Sequence, residues 1–428
     1  MIPCEELDLL GSPLSNTAVP AALEKKRDEL ERLTSRLEEI DAHPALILLK
    51  NCFALPKLMY VLRTSPAFRF LEHLRGIDEL IKKCVSAVSN THLTDESWRQ
   101  ARLPVRHGGL GIRTCEDISS SAFLASHYAT KDLVERILRP SNLDRQLDPQ
   151  DALQCWQSRA PNIPLPADLK SQRLWDDLLC KLVAQHLLDE ADQVSRARLL
   201  SAREDGTGAW LHAIPSPALG TLMDNECLRI AVALRVGAAV CQPHRCRCGR
   251  EVDSLGHHTL SCTYSAGRNP RHAALNDIVK RALVAAGIPS HLEPRGLDRG
   301  DGRQPDGVTV FPYRHGKPLT WDATCTDTFA ATNVNQCALQ AGHAANAAET
   351  RKRLKYQTLT DRYIFQPVSV ETTGVLGGST KDFLKELGRR ISTETGDLRE
   401  GAWLRQRISI AIARGNAQCV ITSARVLQ

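Results

Sequence analysis

Between residues 20 and 43, Leu23, Leu30, Leu33, Leu37 and Ile40 recur at spacings of seven, three, four and three among dense Glu, Lys and Arg. Side chains so spaced form one apolar stripe on a helix, so the pattern predicts an amphipathic helix. A second helical segment, rich in Leu and Ile, starts at Pro44 and is interrupted at Pro56. Phe70, Leu74, Ile77, Leu80 and Ile81 repeat the helical period over 68–89, and residues 115–138 read as helix again. Between these two runs, LPVRHGGLGIR (103–113) places adjacent glycines at 108 and 109, a backbone shape that other residues resist.

Residues 139–168 carry five prolines (Pro140, Pro149, Pro161, Pro164 and Pro166) among Asp and Asn, and read as a mostly irregular connector. Helical runs follow at 169–203 and 219–236, separated by a loop with an aromatic anchor at Trp210. After residue 240, Cys/His pairs in polar loops lead to a helix at 271–286. Strands follow at 307–311, 319–326 and 366–373, with a helix between the last two, and helices at 379–395 and 401–414 close the chain. The front half is thus helical and the back half mixed α and β.

A chain of 428 residues exceeds one hydrophobic core. Apolar content of 42% and charged content of 24% match a soluble globular protein. No stretch approaches 18 consecutive apolar residues, and the acidic start MIPCEELDLL lacks the layout of a signal peptide. The expected location is nucleus or cytoplasm, not secreted and not in a membrane. Scattered cysteines such as Cys84 and Cys115 read as buried thiols of a reducing compartment. Residues 350–425 hold fourteen Lys plus Arg against seven Asp plus Glu, more than the whole chain's excess of +6. A basic end on a near-neutral body points to an anionic partner such as nucleic acid. A solvated basic face accounts for the same excess, and charge does not choose between them.

Residues 246–262 read CRCGREVDSLGHHTLSC. Cys246, Cys248, His258 and Cys262 offer three thiolates and one imidazole in a short loop-rich segment, a donor set suited to tetrahedral zinc. Gly249 and Gly256 supply its tight turns, and so few large apolar residues lie here that metal would hold the loop. His257 can replace His258, and Cys241 or His244 can substitute at the other end.

The strands at 307–311 and 319–326 are joined by PYRHGKP. A hairpin symmetric about residue 314 sets Asp306 opposite Asp322, with Cβ atoms about 5 Å apart. Two facing carboxylates repel unless a cation or proton lies between them, and Mg²⁺ is the hard, oxygen-seeking candidate. Pro305-Asp306-Gly307 is also an ordinary turn signal. Asp322, in the apolar strand WDATCTDTF, is harder to place without a partner. The helical pattern AAETRKRLKYQTL carries Lys352, Lys355 and Tyr356, and Glu371 lies on the third strand. A lysine beside paired carboxylates can orient a water for attack on a phosphodiester.

Together these segments resemble, over nearly the whole chain, the C-terminal part of the reverse transcriptase polyprotein of non-long-terminal-repeat retrotransposons, in the class with a restriction-enzyme-like endonuclease. LLGSPLS (9–15) resembles the segment after the polymerase palm motifs. PKLMYVLRTSP (56–66) and LPVRHGGLGIR resemble the thumb. CRCGREVDSLGHHTLSC resembles the CCHC zinc knuckle, whose G-x-H-x-L-S-C ending favours His258. RHAALNDIVKRAL, RQPDGVTVF, TWDATCTDTF and RKRLKY resemble the nuclease domain.

The resemblance implies an α plus α/β chain: palm end and thumb-like helices over 1–138, a helical linker region over 139–240, a zinc knuckle over 241–265, and a restriction-endonuclease-like domain over 266–428. By the PD-(D/E)-x-K pattern, Asp306 and Asp322 would bind Mg²⁺ or Mn²⁺. The lysine expected two places after Asp322 is Thr324, so the role passes to Lys355 beside Tyr356, with Lys352 as the alternative. The catalytic set is then Asp306, Asp322, Lys355, Tyr356 and Glu371, with structural Zn²⁺ elsewhere. The implied partners are target DNA and element RNA, and with them the missing polymerase portion of the polyprotein.

No Y-x-D-D occurs. Trp175-Asp176-Asp177 sits in a Leu-rich helical run, whereas polymerase chemistry needs a strand-turn-strand. The chain therefore reads as part of a truncated element that nicks DNA without polymerising it. The alternatives are a nucleic-acid-binding relic without catalysis and, less in keeping with the basic end and the Cys/His cluster, a helical scaffold.

Overall fold

The computed structural model describes residues 8–138, 149–294, 296–297 and 304–424. Among the described residues it is mostly helical with three small sheets, and it divides into two compact units, residues 1–189 and 190–428.

In the first unit a short hairpin, β1 (Asp8–Leu9) with β2 (Ser12–Pro13), precedes helix α1 (Val19–Leu37). Leu23, Leu30 and Leu37 are buried as the stripe requires, but the helix ends at Leu37 and leaves Ile40 exposed. The Pro44–Pro56 segment becomes α2 (Ala42–Leu48), one π turn over Leu49–Phe53, and α3 (Leu55–Thr64). Pro56 sits in the first turn of α3, where its missing N–H costs no hydrogen bond. The combined run Ala42–Thr64 is long and apolar enough on average to pass for a membrane span, although no run of consecutive apolar residues is. Its Leu46, Leu49, Leu58, Val61 and Leu62 are buried in the unit's core.

Helices α4 (Leu71–Ser89), α5 (Asp95–Ala101) and α6 (Cys115–Leu138) complete the helical pattern. Between α5 and α6, Gly108 adopts φ +90°, and a Cβ on Gly109 would lie 2.0 Å from the Leu103 carbonyl oxygen. The connector expected over 139–168 is irregular only in part. Residues 139–148 lie outside the described set, and α7 (Gln150–Arg159) follows. Trp156 on α7 is fully buried against Trp175 of α8 (Gln172–Glu190), with Phe68 and Phe123 in the same cluster. Apolar burial outweighs proline here because Pro149 stands just ahead of the helix and Pro161 just behind it. Trp175-Asp176-Asp177 is helical, and its acids pair with Arg113, Arg106 and His107.

The region expected as one linker, 139–240, is split by the unit boundary. Its later part enters the second unit as α9 (Gln193–Arg203), a 3₁₀ turn holding buried Trp210, and α10 (Asn225–Val236). A small hairpin follows, β3 (His244–Arg245) with β4 (Glu251–Val252), and then α11 (Arg268–Ala285).

The main sheet has four strands in the order β5 (Ser290–Leu292), β6 (Gly307–Thr309), β7 (Leu319–Thr326) and β8 (Ile364–Glu371). β5 has no counterpart in the hydropathy pattern, and β6 is shorter than its apolar run. β6 and β7 are antiparallel, whereas β7 and β8 are parallel over eight pairs. The parallel pair needs a crossover, supplied by α12 (Val334–Cys337) and α13 (His343–Lys355). α14 (Gly378–Thr395) and α15 (Glu400–Ala424) close the fold, and α15 runs well past its expected end. Trp321, Ala323, Val368 and Val370 of the sheet bury against Leu275, Val279 and Leu283 of α11 and Leu384 and Leu387 of α14.

Candidate functional site

Two sites emerge in the second unit. The first is the small hairpin. Gly249 (φ +88°) and Gly256 (φ +65°) make its turns, as the sequence requires of a loop closing on itself. The sulfurs of Cys246, Cys248 and Cys262 and an imidazole nitrogen of His258 all lie within 4.8 Å of one another. Cys246 and Cys262 Sγ are 3.6 Å apart, and His258 Nε2 is 3.1 Å from Cys248 Sγ. Tetrahedral zinc with Zn–S near 2.3 Å places two sulfurs about 3.8 Å apart. The cluster can therefore hold a metal ion such as zinc.

A backbone N–H from Arg250 lowers the Cys248 thiol's pKa, while burial pushes Cys262 up to about 11. Burial also lowers that of His258 and so favours the neutral imidazole that ligates metals. The other candidates point elsewhere. His257 stacks on Phe329 at 3.9 Å, Cys241 donates to the Asp253 carbonyl, and His244 bonds Gln242 and Ser423.

The second site is built on the β6–β7 hairpin. Its register pairs Gly307 with Trp321 and Val308 with Thr320, so the next position along sets Asp306 against Asp322. Asp306 Oδ2 accepts the Ala323 N–H at 2.7 Å, which ties the residue before β6 onto β7. Strand alternation puts Trp321 and Ala323 on the core face and Asp322 on the other, toward α13. Lys352 and Lys355, three residues apart on α13, both reach Asp322. Lys352 Nζ pairs with Oδ1, and Lys355 Nζ stands 3.6 Å from Oδ2. Thr324 shares that strand face with Asp322, so the helix laid over the face brings a cation to a region where the strand offers none.

Tyr356 is fully buried. Its hydroxyl lies 2.7 Å from Lys355 Nζ and donates to the Gln304 carbonyl at 3.0 Å. It thereby joins α13 to the segment that leads into Asp306. The Asp322 carboxylate is 5% exposed and that of Asp306 20%, while the two lysines and His272 reach toward solvent.

His272 on α11 completes the cluster, and the sequence reading assigned it no role. Its Nε2 lies 3.0 Å from Asp306 Oδ2 and 3.2 Å from the Ala323 carbonyl. The hydrogen bond to Asp306 raises the His272 pKa against the opposing effect of burial. On Asp306 burial pushes upward, but the His272 bond and charge and the Ala323 N–H outweigh it, so its carboxyl stays below the usual range. Asn276, one turn on, receives the Trp321 Nε1–H at 3.0 Å and fixes α11 against β7. An i, i+4 His/Asn pair on an otherwise apolar helix face was the signal available in the sequence.

Glu371 does not join this cluster. Asp322 pairs with Pro367, and Glu371 lies four residues further along β8, about 13 Å away at strand rise. It is fully buried, and it accepts from the Thr328 hydroxyl at 2.9 Å and the Ala345 N–H at 3.2 Å. Burial raises its pKa in spite of those bonds. Its geometry is that of an internal brace between β8 and the start of α13.

The second site thus presents two carboxylates at opposed positions, each with basic partners and an opening to water. Compared with models of protein families the chain matches none, and among curated proteins no relative is found.

Proposed function

We propose that the second unit is a metal-dependent endonuclease that nicks DNA, with the Cys/His hairpin as a structural zinc knuckle and the helical first unit as a nucleic-acid-binding, thumb-like region. The observation that carries this reading is the convergence of Asp306, Asp322, Lys352, Lys355 and His272 from the entry to β6, from β7 and from two helices. Such a collection of charge has no packing purpose, since an apolar set would fill the same space at lower cost.

In this reading Asp306 and Asp322 would hold Mg²⁺ or Mn²⁺. The bound ion would neutralise charge building on the scissile phosphate. Lys352 lies against Asp322 and sets the orientation of its carboxylate. Lys355 is steadied by the Tyr356 hydroxyl and reaches solvent, in position to orient a water or meet a phosphate oxygen. His272 holds Asp306 through its hydrogen bond. Glu371 has no part in the chemistry.

One observation favours a second reading, a nucleic-acid binder that does not cleave: both oxygens of Asp322 already face lysine ammoniums, so the site is neutralised without a metal. A plasmid-nicking assay with Mg²⁺ or Mn²⁺ separates the two. The nuclease reading expects nicking by the wild type and a loss of about 10²-fold or more in Asp306→Ala and Lys355→Ala. Equal nicking by wild type and Asp306→Ala sinks the site assignment. Absence of nicking with binding retained favours the second reading.

A further inference from the structure

On the side of α11 turned away from the acid pair lies a groove of about 750 Å³, walled by α11, α15 and the Leu219–Gly220 loop. Arg271, Ala274, Ile278 and Arg281 recur along α11 at helical spacing and face it. His272 and Asn276 project to the opposite side of the same helix. From α15, Arg407, Ala411, Arg414 and Gln418 form the facing stripe at intervals of four, three and four.

Four arginines thus line the groove against one carboxylate, Asp277, which pairs with Arg281 at 2.9 Å. Arg271 is buried and its guanidinium is held by neutral partners, the Asn416 side-chain oxygen at 2.6 Å and the Leu260 carbonyl at 3.0 Å. Its Nε has no hydrogen-bond partner among the described residues. Arg407 and Arg414 are exposed, and Arg414 donates to the Leu222 carbonyl. The floor is small: Ala274, Ala411 and Gly415, where a Cβ on Gly415 would run into the Arg271 side chain.

We propose that this groove binds the sugar-phosphate backbone of a single nucleic-acid strand, distinct from the strand offered to the acid pair. This rests on the nuclease reading only for the choice of a nucleic acid over other polyanions. Charge of one sign in a concave site is complementary to a polyanion. α11 and α15 pack against each other with axes about 8–10 Å apart, so the groove is the cleft over their seam, where a single strand can lie along both arginine rows while a duplex, wider than the cleft, meets only its rim. Arg407 and Arg414, seven residues apart on α15, are spaced by about 10 Å, so each meets a different phosphate of a strand laid along the groove. The groove lining includes no aromatic residue, so no base stacks there and binding is independent of sequence.

The test compares Arg281→Gln/Arg407→Gln/Arg414→Gln with the intact chain, both carrying Asp306→Ala so that no cleavage intrudes. Fluorescence anisotropy with a labelled single-stranded oligonucleotide is read from 50 to 200 mM salt. Each phosphate contact on a single strand contributes about 0.7 to the slope of log K against log salt, so three lost contacts lower it by about 2. The intact chain then loses roughly 20-fold more affinity than the triple variant across that salt range. If the triple variant melts early, Arg281→Gln/Arg407→Gln is used, with an expected slope loss of about 1.4. Unchanged slopes overturn the proposal. So does a loss confined to duplex DNA, or displacement of the oligonucleotide by polyglutamate at equal charge concentration. A wild type that does not nick plasmid, beside an intact slope difference, sinks the nuclease reading and leaves the groove standing.

Discussion

Gly307→Ala tests whether the hairpin beneath the acid pair is held by close packing. An alanine Cβ at this position would lie 2.1 Å from Trp321 Cζ2, 2.2 Å from Cη2 and 2.5 Å from Cε2. To reach ordinary contact at 3.4 Å, the indole must move by about 1.3 Å. Trp321 is fully buried, and its Nε1 donates to Asn276 at 3.0 Å, so a shift of that size breaks the bond and leaves two buried polar groups unpaired. Overpacking of a core costs about 1–3 kcal/mol, and an unpaired buried polar group about 1–3 kcal/mol. The expected loss is therefore about 2–6 kcal/mol in the stability of the second unit.

Urea unfolding followed by tryptophan fluorescence measures it. A Trp321→Val partner removes the obstacle, so a double-mutant cycle should show the alanine costing at least about 1 kcal/mol less in that background. An alanine variant within about 0.5 kcal/mol of wild type, the range of an unremarkable surface change, would refute the reasoning.

The Cys/His hairpin should carry one metal ion per chain by elemental mass spectrometry; Cys262→Ser should remove it and speed amide exchange across residues 246–262. Asp78 predicts a pH effect in the first unit. It accepts the Cys115 and Glu116 N–H groups at the start of α6, and burial pushes its pKa up to about 7. Between about pH 4 and 7 the folded chain keeps a proton that the unfolded chain has released, so stability falls as pH rises, by up to about 1.4 kcal/mol per unit. Asp78→Asn cannot ionise, so from pH 5 to 7 the wild type should lose about 2 kcal/mol relative to it in urea unfolding; parallel curves would contradict this.

The features readable in advance were those whose physics is local. Gly249 and Gly256 were recognisable as turns because a loop that gathers four ligands within seventeen residues must reverse sharply. The Asp306–Asp322 register followed from the symmetry of a hairpin, in which the pairing of one position settles the next. His258 over His257 was settled by space: one ring reaches the thiols while the other stacks on Phe329, a residue more than seventy positions away. Proline density misled over 150–159, because the burial of Trp156 depends on Trp175 and Phe123, which no local pattern announces.

By itself the sequence determined the helical front and mixed back, the donor set of the Cys/His hairpin and the pairing of two carboxylates. Each depends on residues within about one element of one another, where backbone geometry dictates which side chains meet. Tertiary structure alone decided the rest. It divided the expected linker between two units, laid Lys352 and Lys355 over Asp322, brought His272 to Asp306 and carried Glu371 along its strand out of reach. It also changed the reason for Gly307, which the sequence offered as a turn residue and which the fold requires as room for the Trp321 ring. These outcomes depend on how helices pack over the two faces of a sheet, and that packing is set by the summed burial of residues far apart in the chain.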